Sequence, residues 1–189
     1  MRAFVAIDLA DEVRSALAHE RARLKAACGY NRNIRWTRPE GLHLTLKFLG
    51  EIEKVQATSV IAALQELGGF DPFQVEVRDF GFFPGARRPR VFWVGLQAPA
   101  ALNELAARVE TALEPVGFPR EHRPFKPHLT LARFDCLQSP VVLTAAITSS
   151  SDGSFGQFEV SEFFLFESRL RPGVAEYFKL ARFPGPQLL

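Results

Sequence analysis

The tetrapeptide His-Leu-Thr-Leu occurs twice in this chain of 189 residues, at positions 43–46 and again at 128–131. The two copies contain two of the four histidines in the sequence, so half of the residues of this rare titratable type lie in the repeat. Polar and apolar side chains alternate in both copies. In a β-strand this alternation places histidine and threonine on one face and the leucines on the other. The repeat therefore predicts two matched strands, each with a buried face and a functional face.

The surrounding sequence predicts strands and helices in a similar order around each copy. The predicted strands cover residues 2–8, 42–49, 73–83, 90–96, 128–134, 155–170 and 177–183, the last two joined across Pro172 and Gly173. The predicted helices cover residues 11–27, 54–67 and 100–113, the first capped by Asp8 or Asp11, while residues 141–148 fit either a helix or a strand. The simplest architecture is one domain, residues 1–189, in which two similar and intertwined α+β lobes each place one copy of the repeat against a shared groove.

Composition and charge restrict the classes of function. Hydrophobic residues make up 47% of the chain, enough for a sizeable core, and 23 basic residues stand against 21 acidic ones. Any affinity for nucleic acid must therefore come from a local basic patch, which argues against a non-specific coat protein. Cys28 and Cys136 have neither CxxC nor zinc-like spacing, as a reducing compartment permits.

The pattern of apolar residues indicates where the protein resides. The alternating run at residues 2–7 is too short for the apolar part of a signal peptide. No apolar run approaches the length of about 18 residues that a membrane-spanning helix needs. We expect a soluble, cytoplasmic protein without membrane contact, and a monomer, because nothing in the sequence demands an oligomer.

The two repeated histidines suggest acid–base chemistry. Imidazole has an unperturbed pKa of about 6.5, so it both takes and gives protons near neutral pH. One histidine can deprotonate an attacking hydroxyl or water while the other protonates a leaving oxygen. Thr45 and Thr130 lie two residues further along each strand, roughly 6 to 7 Å away, where a hydroxyl can donate to a non-bridging phosphate oxygen. This layout suits in-line phosphoryl transfer, and the sequence has no Gly-rich phosphate loop, HExxH or Cys–His set.

Two other interpretations remain open from the residues alone. Each histidine could simply lie on a half-exposed strand, although two identical copies argue against this. The pair could also bind a metal ion with Glu51 or Asp135 as a third ligand, although no motif rich in hard ligands accompanies them. His19 lies in a predicted helix and His122 in a basic loop, and we interpret both as solvated.

The two copies, His43-x-Thr45 and His128-x-Thr130, resemble the paired motifs of the 2H phosphoesterase superfamily. The surrounding sequence is similar to its RNA 2′,3′-cyclic phosphodiesterase branch, also called 2′-5′ RNA ligase. The similarity spans nearly the whole chain and is carried by segments 2–7, 42–51, 80–84, 90–93 and 124–133, with Tyr177 before residues 183–184. Lys126 stands where related chains often have arginine.

This resemblance implies a bilobal α+β fold, in which antiparallel sheets line a central cleft and helices lie outside. It implies hydrolysis of a terminal 2′,3′-cyclic phosphate on RNA to a 2′-phosphate, without metal or cofactor. His43 would be the proton donor to the departing 3′ oxygen and His128 the proton acceptor that activates water, with both imidazoles in solvent-filled space.

The resemblance also implies roles for the neighbouring side chains. Thr45 and Thr130 would hold the phosphate. Arg133, five residues after His128, would bind the substrate phosphates through its donor fork. Phe48 would offer a platform for base stacking, with packing in the core as the alternative.

Two variations on this activity remain. The same acid–base pair could run in reverse and join a cyclic phosphate to a 5′-hydroxyl, as a minor activity, since water is far more concentrated than RNA ends. A non-catalytic nucleotide- or RNA-binding module of the same fold is the alternative function.

Overall fold

The computed structural model describes residues 1–135, 140–148, 153–171 and 174–184. The helices are α1 (Asp11–Cys28), α2 (Lys54–Glu66), α3 (Ala100–Leu113) and α4 (Val141–Thr148), and a short 3-10 helix spans Pro39–Gly41. The strands are β1 (Arg2–Ile7), β2 (Ile34–Trp36), β3 (Leu44–Glu51), β4 (Phe73–Phe83), β5 (Val91–Gln97), β6 (His128–Phe134), β7 (Ser154–Val160), β8 (Glu162–Arg171) and β9 (Val174–Pro184). No helix in these ranges is long and apolar enough to cross a bilayer.

The strands form two antiparallel sheets. One has the order β3-β1-β8-β9 and the other the order β2-β6-β5-β4-β7. Each sheet therefore carries one copy of the repeat, at β3 and at β6. His128 is the first residue of β6, whereas His43 immediately precedes β3. This arrangement confirms the predicted α+β fold with two lobes, and the helical alternative is the correct one for residues 141–148.

Strand β1 lies between β3 and β8, and an apolar cluster covers each of its two faces. Val5 and Ile7 point into the main core, which continues through the leucines of α1, α2 and α3. Phe4 and Ala6 point the other way and form a second, small apolar cluster with aromatic side chains of β8. A strand inside a sheet that is covered on both faces has a continuous apolar sequence, as residues 3–7 do.

The predicted strand at 155–170 is wrong as a single element. The chain leaves the second sheet at Val160, passes through the exposed Ser161, and enters the first sheet at Glu162. Strand β7 pairs with β4, whereas β8 pairs with β1 and β9. The sequence hides this change of sheet because no glycine or proline marks it, and the only local sign is a break in the alternation at Ser161 and Glu162.

The predicted cap of α1 is also wrong. The helix begins after Ala10, and no side chain caps its N-terminus. Asp8 instead accepts the backbone N–H of Leu9 at 3.0 Å and pairs with Arg14 and, at 2.6 Å, with Lys179. Its carboxylate thus ties α1 to β9. Cys136 and the predicted connection across residues 172–173 lie outside the described residues.

A buried ion pair connects the first repeat to the loop that leads into the second. Lys47 on β3 is 4% exposed, and its ammonium pairs with the Glu110 carboxylate on α3. The same ammonium donates to the Pro119 carbonyl at 2.8 Å, and Glu110 accepts the backbone N–H of Glu121 at 3.2 Å. The pair therefore holds the start of the 119–127 loop against β3.

We expect Lys47→Met to lower the free energy of unfolding by about 3 kcal/mol, because it leaves the Glu110 carboxylate without its cation in a largely buried setting. Urea unfolding measures this change. Lys54→Met is the matched control, since Lys54 is exposed at the start of α2 and its replacement should change stability by no more than about 0.5 kcal/mol. Equal stabilities of the two variants would contradict this role of the pair.

Candidate active site

The two copies of the repeat line a single cleft of about 1550 Å³. Its lining includes every site residue predicted from the sequence: His43, Thr45, Phe48, His128, Thr130 and Arg133. The leucines of both copies are buried on the opposite faces of their strands, between 0% and 4% exposed. Burial of these leucines turns the histidines and threonines toward the cleft.

Strict alternation would place Phe48 and Arg133 on the wrong faces, because each lies five residues after its histidine. A β-bulge in each strand corrects this. In β3, Thr45 pairs with Ala6 and Lys47 with Val5, so Leu46 has no opposite residue. Each bulge moves the later residues of its strand by one position relative to the sheet.

The bulge in β6 falls at the equivalent position. Thr130 pairs with Trp93 and Ala132 with Phe92, which leaves Leu131 unpaired. Both bulges therefore fall on the second leucine of the repeat, and both bring the fifth residue after histidine into the cleft. Phe48 in one lobe and Arg133 in the other occupy equivalent positions, so the first lobe presents an aromatic ring where the second presents a cation.

His43 is packed among aromatic rings. It stacks on Phe4 with ring centroids 4.4 Å apart, and Tyr177 meets it edge-on at 5.1 Å. Burial lowers the pKa of His43 to about 4, against the opposing effects of the Asp8 carboxylate and a hydrogen bond with the Gly41 backbone. His43 lines the cleft as expected, but it is half-buried, because strands distant in sequence supply rings that cover part of it.

His128 has a defined tautomer when neutral. Its Nδ1 lies 2.7 Å from the Lys126 carbonyl oxygen, which can only accept, so Nδ1 carries the hydrogen and Nε2 has the lone pair. The ring meets Phe83 edge-on at 5.0 Å. Burial lowers the pKa of His128 and the Arg133 guanidinium adds to this, against the bond to Lys126. Both histidines are thus neutral in the empty cleft near neutral pH.

Arg133 also acts across the cleft. Burial raises the pKa of the Tyr177 hydroxyl, while the charges of Arg133 and Arg2 lower it. Arg133 belongs to the second sheet and Tyr177 to the first, so the positive charge of one wall reaches the other.

Phe48 is 56% exposed and contacts Phe4 at 6.0 Å between ring centroids, which argues against the core-packing alternative.

Sequence reasoning missed the aromatic residues that surround the histidines, namely Phe4, Phe83 and Tyr177. An aromatic side chain on the cleft face of a strand was the available signal. His19 and His122 are exposed and do not line the cleft, as their interpretation as solvated residues predicts.

The metal interpretation does not gain support from the neighbouring carboxylates. Asp135 pairs with Arg35 at 2.6 Å, and Glu51 lies 3.7 Å from the amino group of Met1. Across residues 1–135 and the later described ranges, no cluster of three or more His, Cys, Asp or Glu side chains could hold a metal ion.

Comparison with known proteins finds one family along most of the chain. The family model described as LigT like Phosphoesterase matches residues 7–93 and again residues 94–175. An RNA 2′,3′-cyclic phosphodiesterase of Archaeoglobus fulgidus is 36% identical over 172 residues, which cover 91% of this chain and 93% of that protein.

Solved structures agree with the sequence comparison. A protein of Thermus thermophilus superposes with a TM-score of 0.77 and 30% identity, over 99% of this chain and 100% of that one. Escherichia coli LigT complexed with 3′-AMP also gives a TM-score of 0.77, with 29% identity and 98% coverage of both chains.

The neutral, half-buried His43 makes the stability of the fold depend on pH. The unfolded chain protonates this imidazole below about pH 6.5, whereas the folded chain does so only near its pKa of about 4. Its contribution is therefore fully present above pH 6.5 and is lost as the pH falls to about 4, up to about 3 kcal/mol. We expect His43→Gln to reduce the fall in unfolding free energy between pH 7 and 4.

Urea unfolding at a series of pH values measures this difference. His19→Gln is the control, because it removes an exposed imidazole from α1. A His43→Gln profile parallel to that of the unsubstituted chain would contradict the lowered pKa.

Proposed function

We propose a function from one premise: this chain belongs to the LigT-like phosphoesterase family and is an RNA 2′,3′-cyclic phosphodiesterase. The reaction is hydrolysis of a terminal 2′,3′-cyclic phosphate, which leaves a 2′-phosphate. The observation that carries the proposal is that two histidines, held by different sheets, line one cleft together with two threonines and an arginine. Such a cleft can offer a proton acceptor and a proton donor to the same phosphorus centre.

His128 is the proton acceptor. Its Nδ1–H is engaged by the Lys126 carbonyl, so Nε2 is the atom that can take a proton from water. The resulting hydroxide attacks phosphorus, and the bond to the 3′ oxygen breaks. His43 gives its proton to that oxygen, so a 3′-hydroxyl and a 2′-phosphate result. The bond to Lys126 fixes the orientation of the base before the substrate arrives.

The donor role of His43 depends on substrate binding. Its pKa of about 4 leaves it neutral in the empty cleft at pH 7. A cyclic phosphate carries a negative charge, and an opposite charge within about 4–6 Å stabilises the protonated imidazole. The substrate itself therefore raises the pKa of the acid that will act on it. Stacking on Phe4 holds the ring in place in either state.

The remaining residues bind the substrate. Thr45 and Thr130 donate hydroxyl hydrogens to the non-bridging oxygens, where negative charge increases in the transition state. Arg133 binds the phosphate through its planar fork, and its charge also helps to keep His128 neutral as a base. Phe48, exposed at the cleft, stacks on a base of the RNA.

The same residues support a minor reverse reaction, in which a 5′-hydroxyl replaces water and a 2′-5′ bond forms. Hydrolysis dominates because water is far more concentrated. A ligation rate above the hydrolysis rate on the same RNA would contradict this order.

The first experiment incubates the EDTA-treated protein with an oligoribonucleotide that ends in a 2′,3′-cyclic phosphate and maps the product. We expect a 2′-phosphate. His43→Gln and His128→Gln should each lower turnover by a factor on the order of 10²–10⁴, whereas His19→Gln should leave it unchanged.

The other outcomes of this experiment contradict specific parts of the proposal. Activity that returns only when a metal ion is added would mean that the histidines are ligands. Tight binding without product would support the alternative, a non-catalytic nucleotide- or RNA-binding module. A 3′-phosphate would mean that the acid and base act on the other bridging oxygen.

The lowered pKa values predict the pH dependence. The free protein needs protonated His43, whose fraction falls about tenfold per pH unit above its pKa of about 4. We expect kcat/KM to fall from pH 6 to pH 8. The alkaline limb of kcat should lie at higher pH, because the bound phosphate raises the pKa of His43. If the alkaline limbs of kcat and kcat/KM coincide, the bound substrate does not raise the pKa of His43. A kcat/KM that rises from pH 6 to pH 8 would contradict the need for protonated His43.

A further inference from the structure

A second, smaller hollow lies behind the catalytic cleft. Its volume is about 300 Å³, and α1, the loop after it and strand β2 form its walls. The polar and aromatic side chains of its lining are Arg21, Lys25, Tyr30, Asn31, Arg32, Trp36 and Arg38. Nothing in the catalytic scheme uses these residues.

The two cavities share a wall. Along residues 34–38, successive side chains line the two cavities in turn. Arg35 and Thr37 line the catalytic cleft, whereas Ile34, Trp36 and Arg38 line the hollow. Strand β2 is the edge strand of its sheet, so a chain that leaves the cleft there has no further strand to cross. The hollow is therefore within reach of a molecule already bound in the cleft.

The hollow concentrates positive charge. Its lining contains four cations, Arg21, Lys25, Arg32 and Arg38, and no acidic residue. None of the four forms an ion pair within the described part of the chain. The net charge of the whole protein is only +2, so this cluster is a local feature.

Arg21 offers a buried hydrogen-bond donor at this hollow. Its Nε is buried and has no hydrogen-bond partner among the described residues. Burial and the neighbouring Arg38 lower the pKa of the Arg21 guanidinium, and Glu40 acts in the opposite direction. Leaving a buried donor without a hydrogen bond costs free energy, which an acceptor on a bound anion would recover.

Tyr30 adds an apolar surface to the rim. It follows Gly29 at the end of α1 and is 97% exposed, so no part of the protein packs on its ring. Alternation of cations with an exposed aromatic ring is the pattern by which proteins hold a single strand of nucleic acid, with phosphates on the cations and bases on the ring.

We propose that this hollow binds phosphodiester groups of the substrate RNA, in the strand that lies 5′ to the cyclic end. The proposal rests on the proposed function and adds that the substrate is an oligonucleotide that runs from the cleft around the edge of β2. Arg32 and Arg38 contact phosphates there, and Tyr30 stacks on a base. A mononucleotide occupies the cleft alone and does not reach the hollow.

The test compares two substrates and one charge-removing variant. R32Q/R38Q is assayed on a 2′,3′-cyclic mononucleotide and on an oligoribonucleotide of about ten nucleotides with the same end, within the range of single-strand site sizes. We expect kcat/KM to be unchanged for the mononucleotide and lowered for the oligonucleotide. Two lost phosphate contacts should reduce the slope of log affinity against log salt by about 1.4. Y30S should weaken oligonucleotide binding about tenfold.

The control variant K54Q/R182Q also removes two positive charges, one from α2 and one from β9, and both lie outside the two cavities. It should leave the salt slope for the oligonucleotide unchanged. Equal losses on both substrates, or equal salt slopes for R32Q/R38Q and the control, would overturn the proposal.

Binding of the oligonucleotide is also measured in the H128Q background, where turnover does not consume it. This measurement separates the two proposals. If the unsubstituted protein hydrolyses neither substrate, the proposed function fails, while the salt slope still decides whether the hollow holds RNA.

Discussion

The burial of four leucines, two in each copy of the repeat, fixes the geometry of the cleft. Leu44, Leu46, Leu129 and Leu131 occupy the main core. A strand that slipped by one residue would expose them and bury the histidines and threonines, so the hydrophobic effect selects the register that presents the histidines and threonines to the cleft. The bulge at the second leucine of each strand then redirects the later residues of that strand. Burial of the leucines and one β-bulge in each strand thus determine which side chains line both walls of the cleft.

The sequence predicted the parts of this protein that local patterns determine. The repeat, the helices and the shared cleft follow from alternation and helical spacing, and the structure confirms them. Alternation alone gives the wrong face for Phe48 and Arg133, because a bulge leaves no mark in residue type. The division of residues 155–170 between two sheets was missed for a similar reason: Ser161 carries no turn signal of its own, and only pairing with distant strands decides which sheet each part joins. The aromatic surroundings of His43 come from β1, β8 and β9 and lie beyond any local pattern.

The two lobes repeat a scaffold and differ in its chemistry. Equivalent positions hold a histidine and a threonine in each, and then an aromatic ring in one and a guanidinium in the other. The histidines differ as well. His43 stacks on rings, and burial among them removes its charge, whereas a backbone carbonyl fixes the tautomer of His128. The two lobes thus share the positions of these residues, while neighbouring side chains give the two histidines different surroundings.

The first sheet combines strands that are far apart in the sequence, and this affects the order in which the fold can form during synthesis. The first sheet contains β1 and β3 from the beginning of the chain and β8 and β9 from its end. During synthesis the early strands emerge first, and their partners appear only when residues 162–184 have left the ribosome. A nascent chain therefore lacks the Phe166 and Tyr177 rings around His43 until strands β8 and β9 have been synthesised. The first sheet, which starts with β1, can be completed only after every strand of the second sheet has been made.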